Sequence, residues 1–295
     1  MRFVKMHGAE NDYVCVDGFR DALPENPAVV ARLISDRHRG IGSDGLILIC
    51  PTTVADAEMR MFNADGSEAE MCGNGIRCVA KYLFDEGIAT QSEIAVLTRA
   101  GLRKLQVFSE QGSVHSVRVD MGAPELTPSQ IPTKLRTAYE SSRPIVRCPL
   151  DVNGHQLPVT CISMGNPHCV VYVDECDDVL RANPDQLLSL WGPRIETHEC
   201  FPDRVNVHFV TVESPFVVKQ RTWERGSGET MACGTGASAV CVAGVLAGRS
   251  ERRVTVHVLG GELRLQWDEV TNHVFMTGPA DEVFRGEVNL AQLGQ

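Results

Sequence analysis

Gly66-Ser67-Glu68-Ala69-Glu70-Met71-Cys72-Gly73-Asn74-Gly75 and Gly226-Ser227-Gly228-Glu229-Thr230-Met231-Ala232-Cys233-Gly234-Thr235-Gly236 decide how this chain is read. Each sets one cysteine between an acidic, glycine-rich loop and a run with helical character. After Cys72, the apolar residues Ile76, Val79, Ala80 and Leu83 fall on one helical face. After Cys233, the run from Ala237 to Gly248 is apolar nearly all round, the pattern of a helix buried on every side. A helix start carries free backbone N–H groups and a partial positive charge. A thiol placed there is most readily made a thiolate.

The two loops belong to a longer repeat. Alternating, strand-like runs follow the first helix at Glu93–Thr98, Leu102–Phe108 and Val114–Asp120, with turns at Ala100-Gly101 and Gln111-Gly112. The second helix is followed in the same way by Arg253–Val258, Glu262–Trp267 and Asn272–Thr277. Upstream, Lys5 to Asp17 and Ser163 to Asp174 each read as strand, polar loop, strand, and each carries an asparagine in its loop, Asn11 or Asn166. The cysteines lie 233 − 72 = 161 positions apart, an ordinary domain length. We therefore expect a duplicated α/β (α+β) fold with two pseudo-symmetric domains, each a mostly antiparallel sheet wrapped around a central helix. Pro124 to Cys148 is polar, proline-punctuated and without period, and reads as connector and variable loop; Pro193 to Pro202 reads similarly.

Composition narrows the class. The chain has 295 residues, 43% of them hydrophobic, and a net charge of −10. That charge argues against nucleic acid or an anionic membrane as partner. The longest apolar run is too short to span a bilayer, and Met1 to His7 has no signal-peptide core; a cytoplasmic protein is expected. The 11 cysteines are odd in number and include no CxxC pair, so zinc ribbons and dithiol redox motifs have no support. Most read as small core residues.

A matched pair of thiols suits one kind of chemistry. Inverting an α-carbon requires a base on one face and an acid on the other, and a cysteine proton can be moved near neutral pH. The roles exchange in the reverse direction, which duplicated halves accommodate. Deprotonation sends negative charge into the substrate carboxylate. Helix N-termini at Gly73-Asn74-Gly75 and Gly234-Thr235-Gly236 can receive it. Asn11, Asn63, Asn166 and Asn206 can bond an ammonium or a distal group, and Arg225 can clamp a second carboxylate. Taken singly, each has a plainer reading. The cysteines can be buried structural thiols, His168 a hydrogen-bonded structural histidine, Glu224-Arg225 a solvated pair, and the asparagines turn or strand-end residues.

Lys5-Met6-His7-Gly8 with Asn11-Asp12, the run Asn63 to Cys78, Gly165-Asn166-Pro167-His168, Val205-Asn206-Val207, Glu224-Arg225-Gly226, Ala232 to Gly236 and Gly278-Pro279-Ala280 together closely resemble the diaminopimelate epimerase family. The resemblance implies interconversion of LL- and meso-diaminopimelate on the lysine and peptidoglycan pathway, without cofactor or metal. It implies the two-domain epimerase fold with its site in the cleft, and a homodimer. The boundaries then expected are 1–122 joined by 279–295 for the half with Cys72, and 123–278 for the half with Cys233. It implies Cys72 and Cys233 as the acid/base pair, with His168 and Glu224 supporting them. It implies Asn11, Asn63, Gly73, Asn74, Asn166, Asn206, Glu224, Arg225, Gly234 and Thr235 as substrate contacts. The chain departs from the family pattern at Gly45, where glutamine is frequent, at Ala9, where glycine is usual, and at Tyr13, where phenylalanine is common. Extra length lies around Pro132 to Cys148 and Pro193 to Pro202.

The competing classes are separable. Proline and hydroxyproline racemases typically have histidine where Asn74 stands, and the phenazine-biosynthesis isomerase type replaces the cysteine pair. A redox switch or thiol peroxidase predicts turnover with peroxide or a dithiol partner, and a non-catalytic binding protein has no need of matched thiols.

Overall fold

The computed structural model describes residues 1–136, 143–176 and 184–293. It divides into two compact units: Met1–Asp120 with the segment from Thr277 onward, and Met121–Met276.

In the first unit the chain forms β1 (Arg2–Gly8), β2 (Asn11–Asp17), α1 (Pro27–Ser35), β3 (Gly45–Cys50), β4 (Ala57–Asn63), the short β5 (Glu68–Ala69), α2 (Gly73–Asp85), β6 (Glu93–Thr98), β7 (Gly101–Glu110) and β8 (Ser113–Asp120). β1 pairs antiparallel with β2, and β2 runs parallel to β3. β3 pairs antiparallel with β4, β4 lies beside β5 and parallel to β6, and β6, β7 and β8 form an antiparallel meander.

Strand β3, Gly45-Leu-Ile-Leu-Ile-Cys50, is buried along its whole length because both faces of the sheet are covered. Period-2 alternation sends Leu46, Leu48 and Cys50 toward α1, where they join Val14, Val16, Val30, Ala31, Ile34 and Phe62. The opposite face, which carries Tyr13 and Ile47, receives α2. Every α2 residue from Gly73 to Leu83 is buried.

The second unit comprises β9 (Cys148–Val152), β10 (His155–Ser163), β11 (Pro167–Tyr172), α3 (Pro184–Glu196), β12 (Asn206–Ser214), β13 (Val217–Glu224), β14 (Gly228–Thr230), α4 (Gly234–Leu246), β15 (Arg253–Val258), β16 (Gly261–Trp267) and the first half of β17 (Val274–Pro279), whose residues from Thr277 belong to the first unit. The pattern recurs. β10 and β11 are antiparallel, β11 and β12 parallel, and β12 and β13 antiparallel. β13 pairs with the short β14 and runs parallel to β15, and β15 pairs with β16. Helix α3 covers one face through Leu187, Leu188, Trp191 and Ile195, packed with Val207 and Phe209. Helix α4 lies on the other and is buried at Gly234 and from Gly236 to Gly244. The final strand, β18 (Asp281–Glu287), returns to the first unit and pairs antiparallel with β1. β9 holds the corresponding place beside β10.

Two loop readings are corrected. Pro193 lies inside α3, so the helix overrides a residue that cannot donate to the preceding turn; burial of Trp191 and Ile195 on either side anchors that turn. In the stretch read as a connector, Ile131, Leu135 and Ile145 are core residues of the second unit. They are isolated apolar anchors without period, which is why no element was legible there. Residues 137–142 of that stretch lie outside the described residues.

Candidate active site

Cys72 occupies the N-cap of α2 and Cys233 the N-cap of α4, both in extended backbone. The strands beneath them match position for position. In the first unit, Tyr13 lies beside Gly45 and Gly45 opposite Asn63. In the second, His168 lies beside Asn206, and the register Val207 to Trp223 sets Asn206 opposite Glu224. Tyr13-Gly45-Asn63 and His168-Asn206-Glu224 are thus equivalent rows under equivalent helix starts. One step further in, Ile47 and His208 are also equivalent. A Cβ at Gly75 would meet Ile47 Cδ1 at 2.7 Å, and one at Gly236 would meet His208 Cε1 at 2.3 Å. Glycine at these two positions lets each helix start sit directly on its sheet.

Around Cys72, the sulfur accepts from the Gly75 N–H at 3.3 Å and lies 3.1 Å from the Tyr13 hydroxyl. Burial pushes its pKa up, and the contacts with Tyr13, Gly75 and Asn74, together with the charge of Arg77, act against that rise. Arg77 is wholly buried and donates to the carbonyls of Pro279 and Gly73 and to Asn74 Oδ1 at 3.0, 3.1 and 3.0 Å. It ties Asn74 to the start of the helix. Asn63 donates to Ser67 Oγ at 2.9 Å. Asn11 Oδ1 is a buried acceptor with no hydrogen-bond partner among the described residues.

The loops carrying these groups are pinned by charge. Asp12 takes ion pairs from Lys5 at 2.6 Å and Arg37 at 2.7 Å, and Arg37 also reaches Asp44 at 2.9 Å. Burial pushes Asp12 up, but Arg37 and Lys5 prevail and hold its carboxyl below the usual range. At Gly45, a side chain on this backbone would meet the Phe62 carbonyl 2.4 Å from its Cβ. The nearby Ser43 hydroxyl is buried and bonded to the Ser35 hydroxyl at 3.2 Å. Ala9 and Glu10 form the β1–β2 turn with φ of 53° and 63°, which is why glycine is usual at the first of them.

Around Cys233, Thr235 Oγ1 is 3.6 Å from the sulfur and accepts from Asn166 Nδ2 at 3.4 Å. Burial and the neighbouring Glu224 carboxylate raise the Cys233 pKa well above its ordinary value. Glu224 Oε1 accepts from Thr230 Oγ1 at 2.6 Å. Asn206 accepts from the Arg225 N–H at 2.9 Å and donates to the Pro167 carbonyl at 3.0 Å. The exposed Arg225 guanidinium donates to the Asp203 carbonyl at 2.9 Å.

His168 is buried in a chain of neutral groups. Its Nε2–H donates to Asn166 Oδ1 at 2.8 Å, which leaves Nδ1 to accept from His208 Nε2–H at 2.9 Å. His208 Nδ1 then accepts from Thr222 Oγ1 at 3.0 Å or Gln220 Nε2 at 3.2 Å. Burial holds both imidazoles down, His168 well below the ordinary value with added repulsion from His208 and Arg225, and His208 to about 3.

Sequence reasoning missed Tyr13 and Arg77 as partners of Cys72, His208 as the floor beneath α4, and Glu196. That last carboxylate is buried at the end of α3. It accepts from Trp223 Nε1 at 2.7 Å and from the Gly226 N–H at 2.9 Å, bracketing Glu224-Arg225. Polar residues in otherwise apolar strand positions, such as His208 in Val207-His208-Phe209, were the available signal. Among the described residues no group of three or more His, Cys, Asp or Glu side chains is arranged to hold a metal ion. Nor is any helix among them long and apolar enough to cross a membrane.

Comparison with known proteins finds relatives over nearly the whole chain. The family profile described as diaminopimelate epimerase matches residues 3–127 and 160–283. A diaminopimelate epimerase of Acetivibrio thermocellus is 52% identical over 99% of this chain and 100% of its own. One from Desulfovibrio desulfuricans is 51% identical over 97% of this chain and 98% of its own. Among solved structures, a probable proline racemase from Agrobacterium radiobacter shares the fold. Its TM-score is 0.69 at 16% identity, over 98% of this chain and 93% of that one. By profile, identity and coverage alike, the chain belongs to the diaminopimelate epimerase family.

Proposed function

We infer that this protein is an amino-acid epimerase interconverting LL- and meso-2,6-diaminopimelate, an isomerase of lysine biosynthesis. Near-complete coverage by relatives of that name at about half identity supports the substrate. The observation that carries the mechanism is the duplicated N-cap thiol, one on the central helix of each unit.

One sulfur, as thiolate, takes the α-hydrogen as a proton, and the C–H electron pair stays on the substrate, delocalised into its carboxylate. The other, as thiol, returns a proton to the opposite face of the same carbon. Cys72 and Cys233 fill these roles and exchange them in the reverse direction. The N–H groups at Gly73-Asn74 and Gly234-Thr235 receive the developing carboxylate charge, and preorganised donors of this kind contribute several kcal/mol. Asn11, Asn63, Asn166, Asn206, Glu224 and Arg225 bind the polar groups of the substrate, and His168 holds Asn166. The units are the two halves of the duplicated catalytic fold, with the C-terminal segment completing the first. In this reading the reaction uses no cofactor and the enzyme is cytoplasmic. In the same reading it works as a homodimer.

The test is Cys72→Ala and Cys233→Ala, each checked for folding by circular dichroism. Each is expected to lose epimerisation by at least about 10³-fold. Full activity in either overturns the two-thiol assignment.

A further inference from the structure

The equivalent rows beneath the two helices differ in one chemical respect. In the second unit, the row opens with His168, whose ring nitrogens are engaged by Asn166 and His208. In the first it opens with Tyr13, whose hydroxyl is turned onto the sulfur itself, 3.1 Å from Cys72 Sγ. The β2 alternation aims Tyr13 at α2, and its ring is 1% exposed. Water therefore does not compete for the hydroxyl.

We propose that Tyr13 is a catalytic residue, its phenol O–H donating to Cys72 Sγ and stabilising the thiolate that accepts the α-proton. This rests on the assignment of Cys72 as an acid/base residue. As thiolate, the sulfur accepts from both Tyr13 O–H and Gly75 N–H, two charge-assisted bonds. As thiol, it must spend its own S–H, a weak donor, or leave it without a partner. Tyr13 itself keeps its proton: burial, followed by the neighbouring Cys72, raises the phenol well above its ordinary value. When Cys72 takes the substrate proton, the S–H bond forms, the C–H electron pair remains on carbon, and the Tyr13 O–H bond is unbroken throughout. Cys233 has the Thr235 hydroxyl at a longer 3.6 Å in place of a phenol, and burial and the Glu224 carboxylate of its row both oppose the thiolate. Tyr13 thus biases the resting enzyme toward thiolate on Cys72 and thiol on Cys233.

The test is Tyr13→Phe, which removes one oxygen and keeps the ring. Iodoacetamide labelling of Cys72 and Cys233, resolved by peptide mass spectrometry across pH, reads each thiol separately. Loss of one charge-assisted bond is expected to raise the apparent Cys72 pKa by about 1 to 2 units, giving about 10- to 100-fold less thiolate at neutral pH. The Cys233 profile is expected to stay in place. The kcat is expected to fall most on the acid side, with KM for diaminopimelate within about twofold. A Cys72 profile that superimposes on the wild type overturns the proposal. Should the variant fail to fold, 3-fluorotyrosine at position 13 reads the same bond with opposite sign. Its more acidic phenol lowers the Cys72 pKa, and an unmoved profile overturns the proposal. Retained epimerisation in Cys72→Ala sinks the thiol assignment; an inactive Cys72→Ala protein with an unshifted Tyr13→Phe profile sinks the role of Tyr13 alone.

Discussion

His208→Leu should make this protein less stable at neutral pH and yet more resistant to acid. In the wild type, His208 is wholly buried, accepts at Nδ1 and donates at Nε2 to His168. Burial lowers its pKa from 6.5 to about 3. The unfolded chain therefore binds a proton below pH 6.5 that the folded chain refuses, and stability falls as pH falls through that window. One proton corresponds to about 1.4 kcal/mol per pH unit, so His208 alone removes about 2 kcal/mol by pH 5. Leucine removes that titration. It also strips the donor from His168 Nδ1 and the acceptor from Thr222 and Gln220, a cost of about 1–3 kcal/mol at neutral pH. Taking the middle of that range, the two stability curves cross near pH 5. Urea unfolding at half-unit intervals between about pH 4 and pH 8 measures both curves, His168 in the variant being relieved of the repulsion from His208. A stability difference that stays constant over the whole range would refute the account of His208 as a neutral, buried link.

Two further outcomes follow. Glu196→Ala withdraws the acceptor from Trp223 Nε1 and the Gly226 N–H and is expected to cost about 2 kcal/mol. It should also raise KM for diaminopimelate through the loosened Glu224-Arg225 turn, with Glu196→Gln recovering part of both losses; an unchanged Tm and KM in Glu196→Ala would count against this bracing role. Glu10 is exposed at φ 63°, so Glu10→Gly relieves left-handed backbone without losing burial. Offset by the greater unfolded-state freedom of glycine, the net gain should be about 0.5–1 kcal/mol, read as a Tm higher by about 1–3 °C, and a lower Tm would contradict it.

Much of the fold was legible because it was written twice. The period of Ile76, Val79, Ala80 and Leu83 and the all-round apolar run after Cys233 marked the central helices, and the alternating strands behind each confirmed the order. Proline punctuation misled at Pro193, where buried Trp191 and Ile195 hold the turn despite the missing N–H. Ile131 and Ile145 carry burial without period, so local pattern could not mark them as core. In the site, residues standing in the cysteine loops or strand-end loops were accessible to reading, because their chemistry is local. Tyr13, His208 and Glu196 act across the sheet, through register and alternation, and a partner set by pairing leaves no local motif. Gly45 illustrates the same limit. Sequence shows a missing side chain, and only the opposing Phe62 carbonyl shows that none fits.

The central claim is that this protein moves the α-proton of diaminopimelate through protein thiols that exchange with solvent. Incubation of reduced enzyme with LL-diaminopimelate in D2O, with proline in a parallel sample, tests it most directly. The account predicts deuterium at the α-carbon of diaminopimelate with meso product accumulating, and none in proline. Absence of deuterium from diaminopimelate with reduced, folded protein would contradict it.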